Sequence, residues 1–143
     1  EPYKLILDDD ILLDFKTILR MRKKRQTIIG IYGKYNVSKA SCYEELQDNW
    51  CVDSDNDFLV GSAIMVRQED LNKIRLDLEK IGYPERGDDI IVSYLLKKHC
   101  NCSLQTISGR VLNLPEGDHG LNQDPNHFSM RWKVVEKFKN LTW

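Results

Sequence analysis

The feature that most constrains this chain is an apolar segment of strand length, Tyr3-Lys4-Leu5-Ile6-Leu7, that ends abruptly in Asp8-Asp9-Asp10. Three adjacent carboxylates repel one another, and a fold that holds them at a strand end loses stability to that repulsion and to their desolvation. A divalent cation is the simplest compensation. Hard oxygen ligands suit Mg2+ or Mn2+, ions that are usually shared with substrate phosphates rather than enclosed by protein alone. The first expectation is therefore a metal-bound diphosphate. A structural reading stands beside it, because carboxylates also cap orphan amides and favour the positive end of a helix dipole. Residues 11–19 have helical spacing, so Asp9 or Asp10 is equally a candidate cap.

A length of 143 residues fits one domain with a real core. With 21 Lys plus Arg against 22 Asp plus Glu, a net charge of -1 gives no general electrostatic case for a nucleic-acid partner. Hydrophobic content of 41% and charged content of 30% are those of a soluble globular chain. No apolar run approaches the roughly 20 residues of a membrane helix, so no transmembrane segment is expected. No basic leader or signal-like apolar stretch precedes the first strand, and the cysteines read as thiols of a reducing compartment, so a cytoplasmic location is expected. The first residue is Glu rather than Met, so a piece of a longer protein is expected. Cys42, Cys51, Cys100 and Cys102 are too few and too unevenly spaced for a disulfide scaffold or a four-ligand zinc site, and read as free thiols. Asn36-Val37-Ser38, Asn101-Cys102-Ser103 and Asn140-Leu141-Thr142 match the short N-glycosylation pattern, which carries little weight in an Asn-rich chain.

Taken in order, Leu5-Ile6-Leu7 reads as a strand buried on both faces, as in a parallel or mixed α/β sheet. A helix over residues 11–19 would close on the basic run 20–25, where cations favour a helix C-terminus. Residues 27–32, β-branched and bounded by Gly30 and Gly33, suggest a second strand with a bulge. Residues 34–57 lose the pattern and suggest a hairpin or a mobile loop, with Tyr32, Tyr35, Tyr43 and Trp50 available to stack on a sugar or base or to pack beneath it. Residues 58–66 form a third apolar run interrupted by Gly61-Ser62-Ala63, where small side chains allow close approach to the backbone. Leu71, Ile74, Leu78 and Ile81 define an amphipathic helix that stops at Gly82.

Asp88 and Asp89 precede a further helix with Ile90, Ile91, Tyr94 and Leu95 on its apolar face. Asp88 is a plausible cap there, but a carboxylate pair before a helix is also how a fold presents a general base to a hydroxyl. Two short strands within residues 103–114 lead to a long polar loop, residues 116–127, of the kind that often carries function. It holds His119 and His127. The last helix has Phe128, Trp132, Val135 and Phe138 on one face and Arg131 near its start. Arg there opposes the dipole unless an anion is near, which makes it a candidate phosphate contact. No Gly-x-Gly-x-x-Gly, Gly-Lys-Ser/Thr or Gly-x-Ser-x-Gly motif occurs, so dinucleotide binding, P-loop hydrolysis and serine hydrolysis lose their usual supports.

In the order of its pieces the chain resembles the metal-dependent nucleotide-sugar glycosyltransferases of the A-type fold, above all the exostosin-like enzymes and the glycosyltransferase domains of large DNA viruses of algae. The resemblance rests on Leu7-Asp8-Asp9-Asp10-Ile11 as an Asp-x-Asp motif, Gly61-Ser62-Ala63 as the small-residue segment, Gly87-Asp88-Asp89-Ile90 as the acidic pair, and His127-Phe128-Ser129-Met130-Arg131. It implies an α/β fold, Rossmann-like, with a mixed sheet flanked by helices. It further implies a sugar moving from a nucleoside-diphosphate donor, commonly a UDP-sugar, to a hydroxyl of a glycan or other acceptor. Asp10, with Asp8, would hold Mn2+ or Mg2+, while Asp8, Asp9, Gly61, Ser62 and Arg131 would face the substrate and its diphosphate. Asp89, with Asp88 beside it, would serve as base in an inverting enzyme. His119 or His127 would add a metal ligand, His119 being preferred because its flanking glycines let the loop fold over the ion.

The family's nucleotide-binding N-terminal half does not precede the Asp-x-Asp strand here. Residues 1–143 therefore read as a single partial domain, the C-terminal portion of such a fold, whose missing half would cover an open sheet edge and apolar surface. If viral, its place would be the host cytoplasm. The rivals are a metal-dependent nuclease or phosphohydrolase, and a non-enzymatic α/β binding module in which each acid pair merely caps a helix.

Overall fold

A computed structural model describes residues 2–24, 28–82, 86–115 and 123–139. β1 (Tyr3–Leu7) turns through residues 8–10 into β2 (Ile11–Leu13) and α1 (Phe15–Lys23). β3 (Ile28–Gly30) and β4 (Tyr32–Tyr35) follow, then a 3-10 turn at Tyr43–Glu45 and β5 (Gln47–Trp50). β6 (Ser54–Asp55), β7 (Phe58–Leu59) and β8 (Ala63–Arg67) lead to α2 (Gln68–Ile81) and α3 (Asp88–Cys100). β9 (Leu104–Thr106), β10 (Val111–Asn113) and α4 (His127–Lys139) complete the described elements.

The central sheet has the order β1-β8-β3-β9-β6. Its β3–β9 pair is parallel and the others are antiparallel. Alternation along the strands divides the core between two faces. Ile28, Ile64 and Val66 join Ile74 of α2, Ile90 and Leu95 of α3 and Val135 of α4. Ile29 and Met65 point the other way, against Met21 of α1 and Ile107. The fold is thus α/β, a mixed sheet flanked by helices, and the expectation holds at that level.

Several local expectations change. β1 is an edge strand, and Ile6 and Leu7 are 41% and 43% exposed, so it is not buried on both faces. That environment belongs to β8, which lies between β1 and β3 and whose first four residues are all buried. Three apolar residues in a row do not distinguish the two cases, because neighbours on both sides decide burial. Residues 11–13 form a strand rather than a helix start. Ile11 is buried, and the strand pairs with β10 in a two-stranded ribbon. The helix begins after Asp14, whose Oδ1 accepts the Thr17 amide at 2.8 Å. Asp14, not Asp9 or Asp10, satisfies the orphan donor at this N-terminus.

The run 58–66 is two strands in two sheets, broken at residues 60–62, rather than one bulged strand. Residues 28–35 divide in the same way at Ile31. Its amide donates to the Ala63 carbonyl at 3.3 Å and its carbonyl accepts from Cys51 at 2.8 Å, so both sheets are served by one residue. The polar stretch after Lys34 yields the β4–β5 hairpin in a second sheet ordered β5-β4-β7. The amphipathic helix is present as α2 and ends at Gly82, where φ is 75°. In α3 the cap position is Gly87 at φ 93°, so Asp88 is the first helical residue and not the cap. A Cβ on Gly87 would also press on Val134 at 3.2 Å, so both backbone conformation and helix packing require glycine there. The four cysteines are unpaired. Among the described residues no helix is long and apolar enough to cross a membrane.

Candidate functional site

The turn between β1 and β2 is pinned on three sides. The Ile11 amide closes it onto the Asp8 carbonyl at 3.4 Å, the Asp8 amide donates to the Ser62 carbonyl at 3.1 Å, and Leu114 donates to the Asp10 carbonyl at 2.7 Å. Backbone bonds therefore hold the acidic run in place and leave its carboxylates outside the hydrogen bonding. None of the three caps α1.

The second acidic pair arrives from the start of α3. There the dipole favours carboxylates in the first turn. Asp89 accepts the Gly61 amide at 3.0 Å through Oδ2, and its Oδ1 accepts its neighbour Ile90 at 2.9 Å. Gly61 is where the two acidic groups meet. The point its Cβ would occupy lies 3.8 Å from Asp89 Oδ2 and 3.9 Å from Asp8 Oδ1.

Arg131 enters from α4 and is buried. Its guanidinium grips Asp89 through Nη1 to Oδ1 at 3.0 Å and Nη2 to Oδ2 at 2.9 Å, while Nε donates to the Tyr43 hydroxyl at 2.9 Å. Burial works against its charge, but the Asp89 carboxylate and its hydrogen bonds outweigh this and raise the Arg131 pKa above its ordinary value. The Arg131 group lies 5.2 Å from the Tyr43 ring, which stacks at 5.3 Å on Phe128. The anion that justifies an arginine early in α4 is thus the protein's own Asp89, and the expected diphosphate contact meets a side chain already engaged. Asp89 accepts four hydrogen bonds, about the full capacity of a carboxylate. Asp88 is exposed beside it.

These residues line one cleft of about 1220 Å³, which takes in Asp8, Asp9, Asp10, Gly61, Asp88, Asp89, His127 and Arg131. Ser62 lines an adjoining recess that shares Asp8 and Asp10. His119 lies outside the described residues, as does most of the polar loop that carries it. Like charge is concentrated in the cleft. The Asp8 carboxyl is pushed up first by burial, then by Asp10, Asp89, Asp9 and Asp88 in turn. His127 is pushed down by burial and by the positive charges of Arg131 and Arg86. Its buried Nδ1 has no hydrogen-bond partner among the described residues.

A crowded carboxylate turn beside a neutral imidazole is a donor set that suits a hard divalent cation. Among the described residues, however, no group of three or more His, Cys, Asp or Glu side chains is arranged to hold a metal ion.

In one part of the cleft wall Tyr32 and Trp50 were singled out from the sequence, but Lys34 and Asp48 were not. Lys34, though buried, pairs with Asp48 at 2.5 Å and sits 4.9 Å from the Tyr43 ring. Tyr32 donates to the same Asp48 Oδ1 at 3.2 Å and meets Trp50 edge-on at 5.2 Å. The signal was present as alternation: Tyr32 and Lys34 lie on one face of β4, Asp48 and Trp50 on one face of β5, and the antiparallel register pairs Tyr32 with Trp50 and Lys34 with Asp48, which brings all four to the same face of the sheet. Without the register, the charges are only two among many. No protein-family model matches this chain, and no curated protein matches it.

Proposed function

We propose that the chain carries out metal-assisted glycosyl transfer from a nucleoside-diphosphate sugar, with UDP as the nucleotide of first choice, to an acceptor hydroxyl. The observation that supports this is the convergence of two acidic segments, residues 8–10 and 88–89, across Gly61 on one cleft where the Asp8 carboxyl is destabilised by four neighbours of like charge. In this reading Asp10 and Asp8 hold Mn2+ or Mg2+, and His127 adds a neutral imidazole. The ion, when bound, neutralises charge on the departing diphosphate. Gly61 keeps the floor between the acidic groups low enough for the donor to lie across it.

Asp89 is the proposed base. With four donors already on its carboxylate, it takes an acceptor hydroxyl only when that hydroxyl displaces one of them, and Gly61, whose amide is one of the four, lines the cleft. Arg131 keeps the Asp89 carboxylate aimed through its two parallel hydrogen bonds. The same geometry supports placing the fold with the A-type glycosyltransferases, a placement that belongs to this proposal.

Calorimetric titration of UDP with Mn2+ and then with EDTA tests the reading. Binding that needs the metal and vanishes in Asp10→Asn is expected. Equal binding in EDTA, or none in either condition, removes the transfer reading in favour of a metal-independent binding module.

A further inference from the structure

We propose that the recess beside the acidic turn is the acceptor subsite and takes a neutral oligosaccharide, with one sugar face on the Trp50 indole and the sugar hydroxyls on Asp48 and Asn113. Its position next to the reacting centre rests on the transfer reading above; its ligand chemistry is read from the recess itself.

The recess has a volume of about 520 Å³ and is lined by Asp8, Asp10, Tyr32, Asp48, Trp50 and Asn113 among others. That is within the usual range for a small-ligand site. Trp50 is 38% exposed although it faces a cavity. Tyr32 meets it at an interplanar angle of 72°, which fixes the indole while leaving a broad face free of a parallel ring. A pyranose, with an apolar C–H face and a rim of hydroxyls, matches one flat ring bordered by hydrogen-bonding groups. Asp48 is held in orientation by Tyr32 and Lys34 on Oδ1, yet its side chain remains 52% exposed.

The polarity of the rim narrows the class. Asp8, Asp10 and Asp48 line the recess, and no Lys, Arg or His does so among the described residues. Ionised carboxylates accept hydrogen bonds and cannot donate them, so they suit hydroxyls, which can donate. In the metal-free protein Asp8 and Asp10 repel a uronate, a sulfated sugar or a phosphate. A pyrimidine base, whose carbonyls need donors, would find the side-chain amide of Asn113 and the hydroxyl of Ser62, the Tyr32 hydroxyl being given to Asp48, against three groups that only accept. Lys34 offsets the charge of Asp48 alone, its ammonium held between that carboxylate and the Tyr43 face, and leaves the charges of Asp8 and Asp10 in place.

The test follows the Trp50 indole N–H in two-dimensional NMR, in EDTA and without nucleotide, while maltotriose, cellotriose, chitotriose, trigalacturonate and uridine are added separately. At least one neutral trisaccharide should shift that signal. Its affinity should fall at least tenfold in Trp50→Ala and stay within about threefold in Trp50→Phe, which keeps an aromatic face and guards against a folding artefact. Trigalacturonate should bind at least tenfold more weakly than the best neutral sugar. A shift with uridine alone, equal binding of trigalacturonate, neutral-sugar binding indifferent to Trp50→Ala, or no response to any probe overturns the proposal. Because the readout uses no metal and no UDP, sugar binding that persists after the manganese titration has failed sinks only the transfer reading.

Discussion

Arg131 and Asp89 hold each other through two parallel hydrogen bonds, 3.0 Å and 2.9 Å long, with 8% and 9% of their side chains exposed. The pair ties α4 to the start of α3 beneath the cleft, and through the Gly61 amide it also fixes the connection between β7 and β8. One contact therefore sets three segments of the site. A buried pair of this kind adds little net stability compared with apolar replacements, but it is costly to break on one side only.

Arg131→Met should accordingly lower unfolding free energy by about 3–5 kcal/mol, because it leaves Asp89 buried with an uncompensated charge. Asp89→Leu combined with Arg131→Met should recover a substantial part of that loss. Urea unfolding with a constant m-value measures both. A single variant within about 1 kcal/mol of the parent, the usual range of a surface change, contradicts the account.

Gly61→Ala separates folding from binding. The added methyl would make ordinary contacts, 3.6 Å to Asp89 Cβ at the closest, so stability should change by less than about 1 kcal/mol. The same methyl occupies the point between Asp8 and Asp89, and manganese-dependent UDP affinity should drop at least tenfold, about 1.4 kcal/mol. Unchanged affinity in a folded variant removes the ligand from that position.

For Asp8 the sign follows from a pKa raised by burial and by Asp10, Asp89, Asp9 and Asp88. The folded state holds this proton more tightly than the unfolded chain does. Its contribution is thus fully present below the ordinary value of 3.8 and is lost as pH rises through the raised value. Asp8→Asn should stabilise the protein at pH 7 and show no such gain below pH 3.8. Mn2+ at 100 times its dissociation constant should stabilise the parent by about 2.7 kcal/mol, and the variant by less. Thermal melts across pH, with and without Mn2+, report both effects.

His127 behaves oppositely. Burial, Arg131 and Arg86 hold its pKa below the ordinary 6.5, so the fold favours the neutral ring. That stability is present above pH 6.5 and is lost as pH falls through 6.5 toward the lower folded value. Denaturant melts between pH 7 and pH 5 should show a decline that His127→Gln diminishes. Titration of the ring by NMR should give a midpoint below 6.5, and a midpoint above it contradicts the assignment.

Much of the frame was legible because local chemistry determines it. The helix α2 was visible in the spacing of Leu71, Ile74, Leu78 and Ile81, and its end in Gly82. Other features depended on partners that a sequence does not name. With Asp8, Asp9, Asp10 and Asp14 close together, any could cap a helix, and only the position of the Thr17 amide selects Asp14. The sheet changes at Ile31 and at residues 60–62 interrupt runs whose hydrophobicity is continuous. Sequence reasoning called for an anion near Arg131, and the structure supplies Asp89; the choice between substrate and side chain lay in packing. Lys34 and Asp48 became a pair only through hairpin register.

The bond between Arg131 and Asp89 also has a consequence for the order of synthesis. Arg131 reaches 42 residues back to Asp89 and 88 residues back to Tyr43. A nascent chain emerging from the ribosome therefore displays both acidic segments before the guanidinium that grips Asp89 has been made. Until α4 has left the exit tunnel, Asp89 lacks its partner and the cleft has no finished floor.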